Sequence, residues 1–271
     1  MDRDVAFEAL CALCNSCVTS FQRQGLQFHG GAASVCWQMC VKAFICTVLD
    51  ADETCQVSRS NFARLQSVLQ GYGLTAGHAQ DAAVRAPTER DIIIDEDEFF
   101  DPQFDYDFRS LTDNETYYRG GEVYERPYGW YRFALKVLDK YDGNDWLGTR
   151  YRSTQTVPGE WPVSYHGTSK KGAEGIISGY YKPGAGQTYG RGIYSTPYID
   201  EAVYYTKTFT SNSTGKTYQV VLQNRINADY RERHNNDKYW LVPISAGTSP
   251  ADEQDIVERS IRPYGLLLRE V

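Results

Sequence analysis

The sequence predicts an α+β protein, a small helical N-terminal region followed by a larger region of strands and short helices. Residues 4–22, 34–49 and 60–69 repeat apolar side chains at spacings near three and four, the period of an amphipathic helix. From residue 163 onward, short apolar or alternating runs are punctuated by glycine, proline and polar turns, as strands are. Between them lies an acidic run, 91–107. The expected organisation is therefore a helical, cysteine-rich region with a linker over 1–90, an acidic linker over 91–107 and a larger domain of strands and short helices over 108–271.

Composition bounds what these parts do. The chain has 271 residues, 41% apolar and 14% aromatic, which suits a globular protein with a sizeable core. Its net charge of −7 is local, because residues 91–107 hold eight acidic and no basic residues. Over 108–271 there are 21 Lys and Arg against 19 Asp and Glu, too even for the basic footprint of a nucleic-acid binder. All seven cysteines fall in the first 55 residues, and no basic stretch precedes an apolar one at the start, so an intracellular chain with reduced thiols is expected. The most apolar window, 32–49, contains Gln38 and Lys42 and reads as a buried helix rather than a membrane span.

In the first helix Val5, Leu10, Leu13, Cys14, Cys17, Val18 and Phe21 share a face. Cys11, Cys14 and Cys17 have the C-x2-C spacing that zinc sites use. Inside an apolar helix pattern, however, reduced cysteines pack as small hydrophobes, and that is the expectation. Residues 71–90 are rich in glycine and alanine and read as linker. The acidic run interleaves Ile92, Ile93, Ile94, Phe99 and Phe100, so docking on the next domain is its alternative reading. A chain starting near Phe108 is expected to fold by itself.

In the aromatic block 117–148, Arg119-Gly120-Gly121 reads as a turn before a strand. Trp130, Phe133, Ala134, Val137, Leu138 and Tyr141 predict a helix that ends at Asp142-Gly143-Asn144. Residues 218–226 and 239–243 read as strands, with 227–238 a loop between them. Residues 251–260, with Glu253 and Glu258, read as a helix or turn, and 261–271 as the last strand, buried at Leu266 and Leu268.

The segment 163–196 organises the rest. A strand ends in Tyr165-His166-Gly167-Thr168, a two-turn helix follows over 170–177, and a loop over 182–191 carries three glycines. Gly192-Ile193-Tyr194 begins the next strand, and a helix is expected over 199–206. His166 and Tyr194 therefore sit on strands beside glycines, where a flat ligand can come close to the backbone. No Gly-Lys-Ser or Gly-Lys-Thr follows the loop, and the next element is a strand, which excludes a P-loop.

His166-Gly167-Thr168, Gly190-Arg191-Gly192-Ile193-Tyr194 and Tyr205, in that order, resemble the ADP-ribosyltransferase superfamily in its diphtheria-toxin and poly(ADP-ribose) polymerase branch. The resemblance spans residues 160–271. It implies a split antiparallel sheet with flanking helices, NAD as substrate, and a cofactor-binding set of His166, Gly167, Thr168, Arg191, Gly192, Tyr194 and Tyr205. In that family the histidine bonds the adenosine ribose, the first glycine's backbone holds the nicotinamide carboxamide, and the two tyrosines sandwich the nicotinamide ring. A glutamate at the start of the last strand stabilises the ribose cation. Here that position falls on Tyr264, or by a one-residue shift on Arg262 or Pro263, and Glu258 reaches the site only if the segment before the strand folds back. The catalytic set implied is thus His166, Tyr194 and Tyr264 or Glu258, with no metal. The resemblance implies a mono-ADP-ribosyltransferase acting on a protein or other macromolecule; ubiquitin is an acceptor of bacterial effectors with this fold. An NAD glycohydrolase and a non-catalytic binding module are the alternative classes.

Overall fold

The computed structural model describes residues 1–14, 17–24, 37–38, 91–112, 114–149, 153–167 and 189–271. Helix α1 spans Arg3–Cys14. The Asp2 carboxylate accepts a hydrogen bond from Asp4 N at 3.0 Å and caps it, and Asp4 in the first turn suits the positive end of the helix dipole. The helix stops well short of residue 22. Cys17–Ser20 forms strand β1 instead, with β-branched Val18 and Thr19 at its centre and the Val18 N–H donating to Cys11 Sγ at 3.0 Å. A one-turn helix, α2, follows at Phe21–Gln24. Trp37–Gln38, inside the helix expected over 34–49, is strand β2, and it and β1 flank strand β3, Asp91–Ile94, in a parallel three-stranded sheet. The rest of that expected helix, the helix over 60–69 and the linker over 71–90 lie outside the described residues.

Residues 91–107 are not a linker. After β3 come helix α3, Glu96–Phe99, capped by Asp95, a 3-10 turn at Pro102–Phe104, and strand β4, Tyr106–Asp107. Ile93, Ile94, Phe99 and Phe100 are buried, while Glu98 stays outside and meets Lys136 and Lys140, each at 2.9 Å. Burial of the apolar half of this run outweighs solvation of its acidic half, and it docks.

Strands β5, Tyr117–Arg119, and β6, Glu122–Tyr124, form a hairpin. Its two turn residues, Gly120 and Gly121, have φ of 56° and 80°, the pair of positive values a type I′ turn requires. Strand β7, Tyr131–Ala134, replaces the helix expected from Trp130 onward. The apolar positions there fit either period, and pairing of Phe133 with Leu266 on the last strand decides for the sheet. Strand β8 is Val163–His166, strand β9 is Gly192–Ser195 and helix α4 is Ile199–Val203. Strands β10, Lys207–Thr210, and β11, Thr217–Ile226, follow. The expected loop over 227–238 contains strand β12, Glu232–His234, ahead of β13, Tyr239–Pro243. Helix α5, Pro250–Ser260, starts at an Ser249 cap with Pro250 in its first turn, and strand β14, Ile261–Glu270, ends the fold.

The large sheet is antiparallel in the order β10-β11-β14-β7-β4, with β8 paired to β11 beyond the end of β10. A second antiparallel sheet has the order β12-β13-β9. The class is α+β, with mostly antiparallel sheets and few helices. No helix among the described residues is long and apolar enough to cross a membrane.

One side of the large sheet, with Val220, Leu222, Leu266 and Leu268, packs against Phe133, Trp240 and Ile193. Val5, Phe7, Leu10 and Leu13 of α1 belong to the same cluster, so the boundary expected at 108 does not divide the core. Two further ties hold α1: Lys207 Nζ donates to Ala12 O at 2.7 Å, and Glu8 Oε1 accepts from Asn212 N at 2.9 Å. Cys14 packs in this core as a hydrophobe, its thiol pushed up to about 12 by burial. The other side of the sheet buries Val221 and Leu267 with Trp130, Tyr165, Ile199 and Ala202.

Candidate functional site

His166 closes β8, and its Nδ1 lies 2.6 Å from the Tyr194 carbonyl on β9. A carbonyl only accepts, so Nδ1 carries the proton and Nε2 of the neutral ring is an acceptor. Burial holds the imidazole neutral by pushing its pKa below the usual value, against the opposing pull of that carbonyl. The next residue, Gly167, lies against the end of α4. A Cβ there would overlap the Ala202 carbonyl oxygen and come within 2.9 Å of the Tyr205 carbonyl carbon, so only glycine lets these segments meet. The tertiary fold thus brings His166, Gly167, Tyr194 and Tyr205 together.

The sheet β12-β13-β9 extends this group. Directly opposed residues of antiparallel strands share a face, so Tyr194, Leu241 and Glu232 form one row. Tyr239 and His234 form the next row on that face. The Tyr189 ring stacks on His234 with centroids 4.4 Å apart and planes 13° apart, and Tyr189 N donates to the Tyr194 hydroxyl at 3.1 Å. That hydroxyl donates to Gly190 O at 2.7 Å, which fixes the ring. Tyr205, 46% exposed, places its hydroxyl 3.3 Å from that of Tyr239. Tyr239 in turn donates to Glu201 Oε1 at 2.5 Å, and Lys238 Nζ lies 2.8 Å from Glu201 Oε2. Burial alone would raise the Glu201 pKa, but Lys238 and Tyr239 outweigh it and hold the carboxyl below its usual range. The result is a face that carries Tyr189, Tyr194, Tyr205, Tyr239 and His234, with the Glu201 and Glu232 carboxylates beside them and His166 tied to the Tyr194 backbone.

Other expected site residues go elsewhere. Arg191 turns away from this face: its guanidinium donates to Ser245 O at 2.7 Å and pairs with Glu253 of α5. It ties β9 to the segment after β13 and to α5. Gly192 is needed because a Cβ would overlap Val242 O on β13, a requirement of strand packing rather than ligand access. Tyr264 occupies a bulge, since Pro263 pairs with Asn224 and Gly265 with Gln223. Its ring lies 5.3 Å from both the Arg132 and the Arg225 guanidinium, on the side of the sheet that carries Gln223, whereas His166 shares the side of Leu222. Tyr264 is therefore not the residue that faces His166. Glu258 stays on α5, where it accepts from Gln254 at 2.9 Å; the carboxylate that folds back toward β9 is that of Glu253. Thr168, the helix over 170–177 and most of the glycine-rich loop lie outside the described residues.

Tyr189, Glu201, Glu232, His234 and Tyr239 escape sequence reasoning. Alternation in Glu232–His234 is too short to stand out from a polar loop, and in a chain with 21 tyrosines one more at a strand end carries no signal. Alternation along 239–243 puts Tyr239 and Leu241 on one face, whereas the pairing of Leu241 with Tyr194 across two strands is set by the tertiary structure. Searches against protein-family models and against curated proteins find no match to this chain.

Proposed function

We propose that the chain is an NAD-dependent mono-ADP-ribosyltransferase with an ADP-ribosyltransferase-like core, acting on a protein acceptor and releasing nicotinamide. The observation that carries this reading is the meeting of His166, Gly167, Tyr194 and Tyr205, separated in sequence, around one hydrogen bond and one close backbone approach. His166 Nε2 is left to accept from a ribose hydroxyl, because Nδ1–H is committed to Tyr194 O. The Gly167 backbone holds the carboxamide, and the rings of Tyr194 and Tyr205 hold the nicotinamide by stacking. As the glycosidic C–N bond breaks, the electron pair leaves with nicotinamide and positive charge grows on the ribose. An acceptor nucleophile then bonds to the anomeric carbon and loses its proton.

The carboxylate for this step is Glu232, which shares the Tyr194 row and face, in place of the glutamate absent from the start of the last strand. With no carboxylate on β14 facing the site, transfer stops at one ADP-ribose. The test is labelled NAD incubated with the purified chain and a cell lysate. Label on protein with free nicotinamide supports transfer. Free nicotinamide with no labelled protein makes the chain a glycohydrolase, and neither product makes it a binding module. Glu232→Gln should abolish turnover and keep NAD affinity, whereas Tyr194→Ala should lose about 1–3 kcal/mol of NAD affinity by analogy with stacking on bases.

A further inference from the structure

On the other side of the large sheet lies a cavity of about 480 Å³, within the size range of pockets that enclose a small organic molecule. Its aromatic wall is Tyr106, Phe108, Tyr117, Tyr124 and Tyr264, and Arg119, Arg126, Arg132 and Arg225 also line it. Arg225 is 6% exposed. Its Nη1 and Nη2 bond to Glu160 and to the Trp161 and Leu147 carbonyls, but its buried Nε meets no acceptor among the described residues. Among the described residues Arg132 donates to two neutral groups, Gln223 Oε1 at 3.2 Å and Phe104 O at 3.0 Å, and its buried Nε lacks an acceptor.

Charge points the same way. Glu160 is shared between Arg225 at 3.1 Å and Arg119 at 3.3 Å, so one carboxylate faces two guanidiniums, and Asp101 is the acidic residue on the wall. Buried donors without acceptors cost free energy that a bound anion returns, and the planar guanidinium fork can donate to two phosphate oxygens at once. The Arg132 and Arg225 guanidiniums each lie 5.3 Å from the Tyr264 ring, so both gather at one ring of the cavity wall. The rings of Tyr106 and Phe108, with centroids 4.5 Å apart, offer an apolar wall for a planar group.

We propose that this cavity is a second ligand site, separate from the His166 face, that takes a small planar aromatic phosphate of the nucleoside monophosphate class, its phosphate beside Tyr264 between Arg132 and Arg225. Calorimetric titration of the full chain with AMP, adenosine and inorganic phosphate tests it. AMP should bind, with adenosine and inorganic phosphate each weaker by about 10-fold or more. Arg132→Met should weaken AMP about 10-fold, and Arg132→Lys should restore part of the loss. Circular dichroism checks that each variant is folded; if Arg132→Met is not, Tyr264→Leu takes its place and should weaken AMP by about 5-fold. Absence of AMP binding at about 1 mM overturns the proposal. So does adenosine or inorganic phosphate binding as tightly as AMP, or AMP binding kept in Arg132→Met. Failure of NAD turnover leaves these titrations unaffected, so the two readings fail separately.

Discussion

Leu10→Ala tests whether the N-terminal helix belongs to the same cooperative unit as the sheet. Leu10 is fully buried, in one cluster with Val220, Leu222, Leu266 and Leu268. Truncating a buried leucine removes its transfer free energy and leaves a cavity, a loss of about 2–5 kcal/mol. Two polar ties, Lys207 to the Ala12 carbonyl and Glu8 to Asn212, hold α1 in place and hinder its collapse into the gap, so about 3 kcal/mol is expected. With an m-value of about 2 kcal/mol/M in urea, the midpoint falls by about 1.5 M. Trp130, Trp146, Trp161 and Trp240 all lie beyond residue 108, so tryptophan fluorescence reports mainly on the sheet region. In a single core, fluorescence and far-ultraviolet circular dichroism shift together. A fluorescence midpoint that stays at the wild-type value while the helical signal melts early would refute the shared core and restore a boundary near 108.

Two further outcomes follow from buried charge. Burial keeps the folded pKa of His166 below its unfolded value of about 6.5, so below that pH the unfolded chain binds the extra proton. Stability from neutral His166 is therefore full above about 6.5 and is lost as pH falls; urea midpoints from pH 7.5 to 5.5 should decline more steeply for wild type than for His166→Asn, and parallel profiles would refute this. Glu253→Gln removes the buried carboxylate that pairs with the Arg191 guanidinium, and should cost about 3 kcal/mol in equilibrium unfolding; a loss below about 1 kcal/mol would show the pair to be dispensable.

The sequence by itself determined the elements whose local chemistry is unambiguous. Residues 251–260, read as a helix or turn, form α5, Arg119-Gly120-Gly121, read as a turn before a strand, joins β5 to β6, and alternation marks β11 and β13. It also supplied four of the residues that meet at the candidate site, His166, Gly167, Tyr194 and Tyr205. Tertiary structure decided the rest, for two reasons. Side-chain patterns compatible with two periods, such as Trp130 to Leu135, take the form their neighbours offer, and β14 offered a strand. Runs that mix charge with apolar groups, such as 91–107, go where burial is available, and the core left open for Phe99 and Phe100 is visible only once α1 and β7 are in place. The same holds for Tyr264: its place in the chain suggested the His166 face, but the bulge at Pro263 turned it to the opposite side, between two arginines.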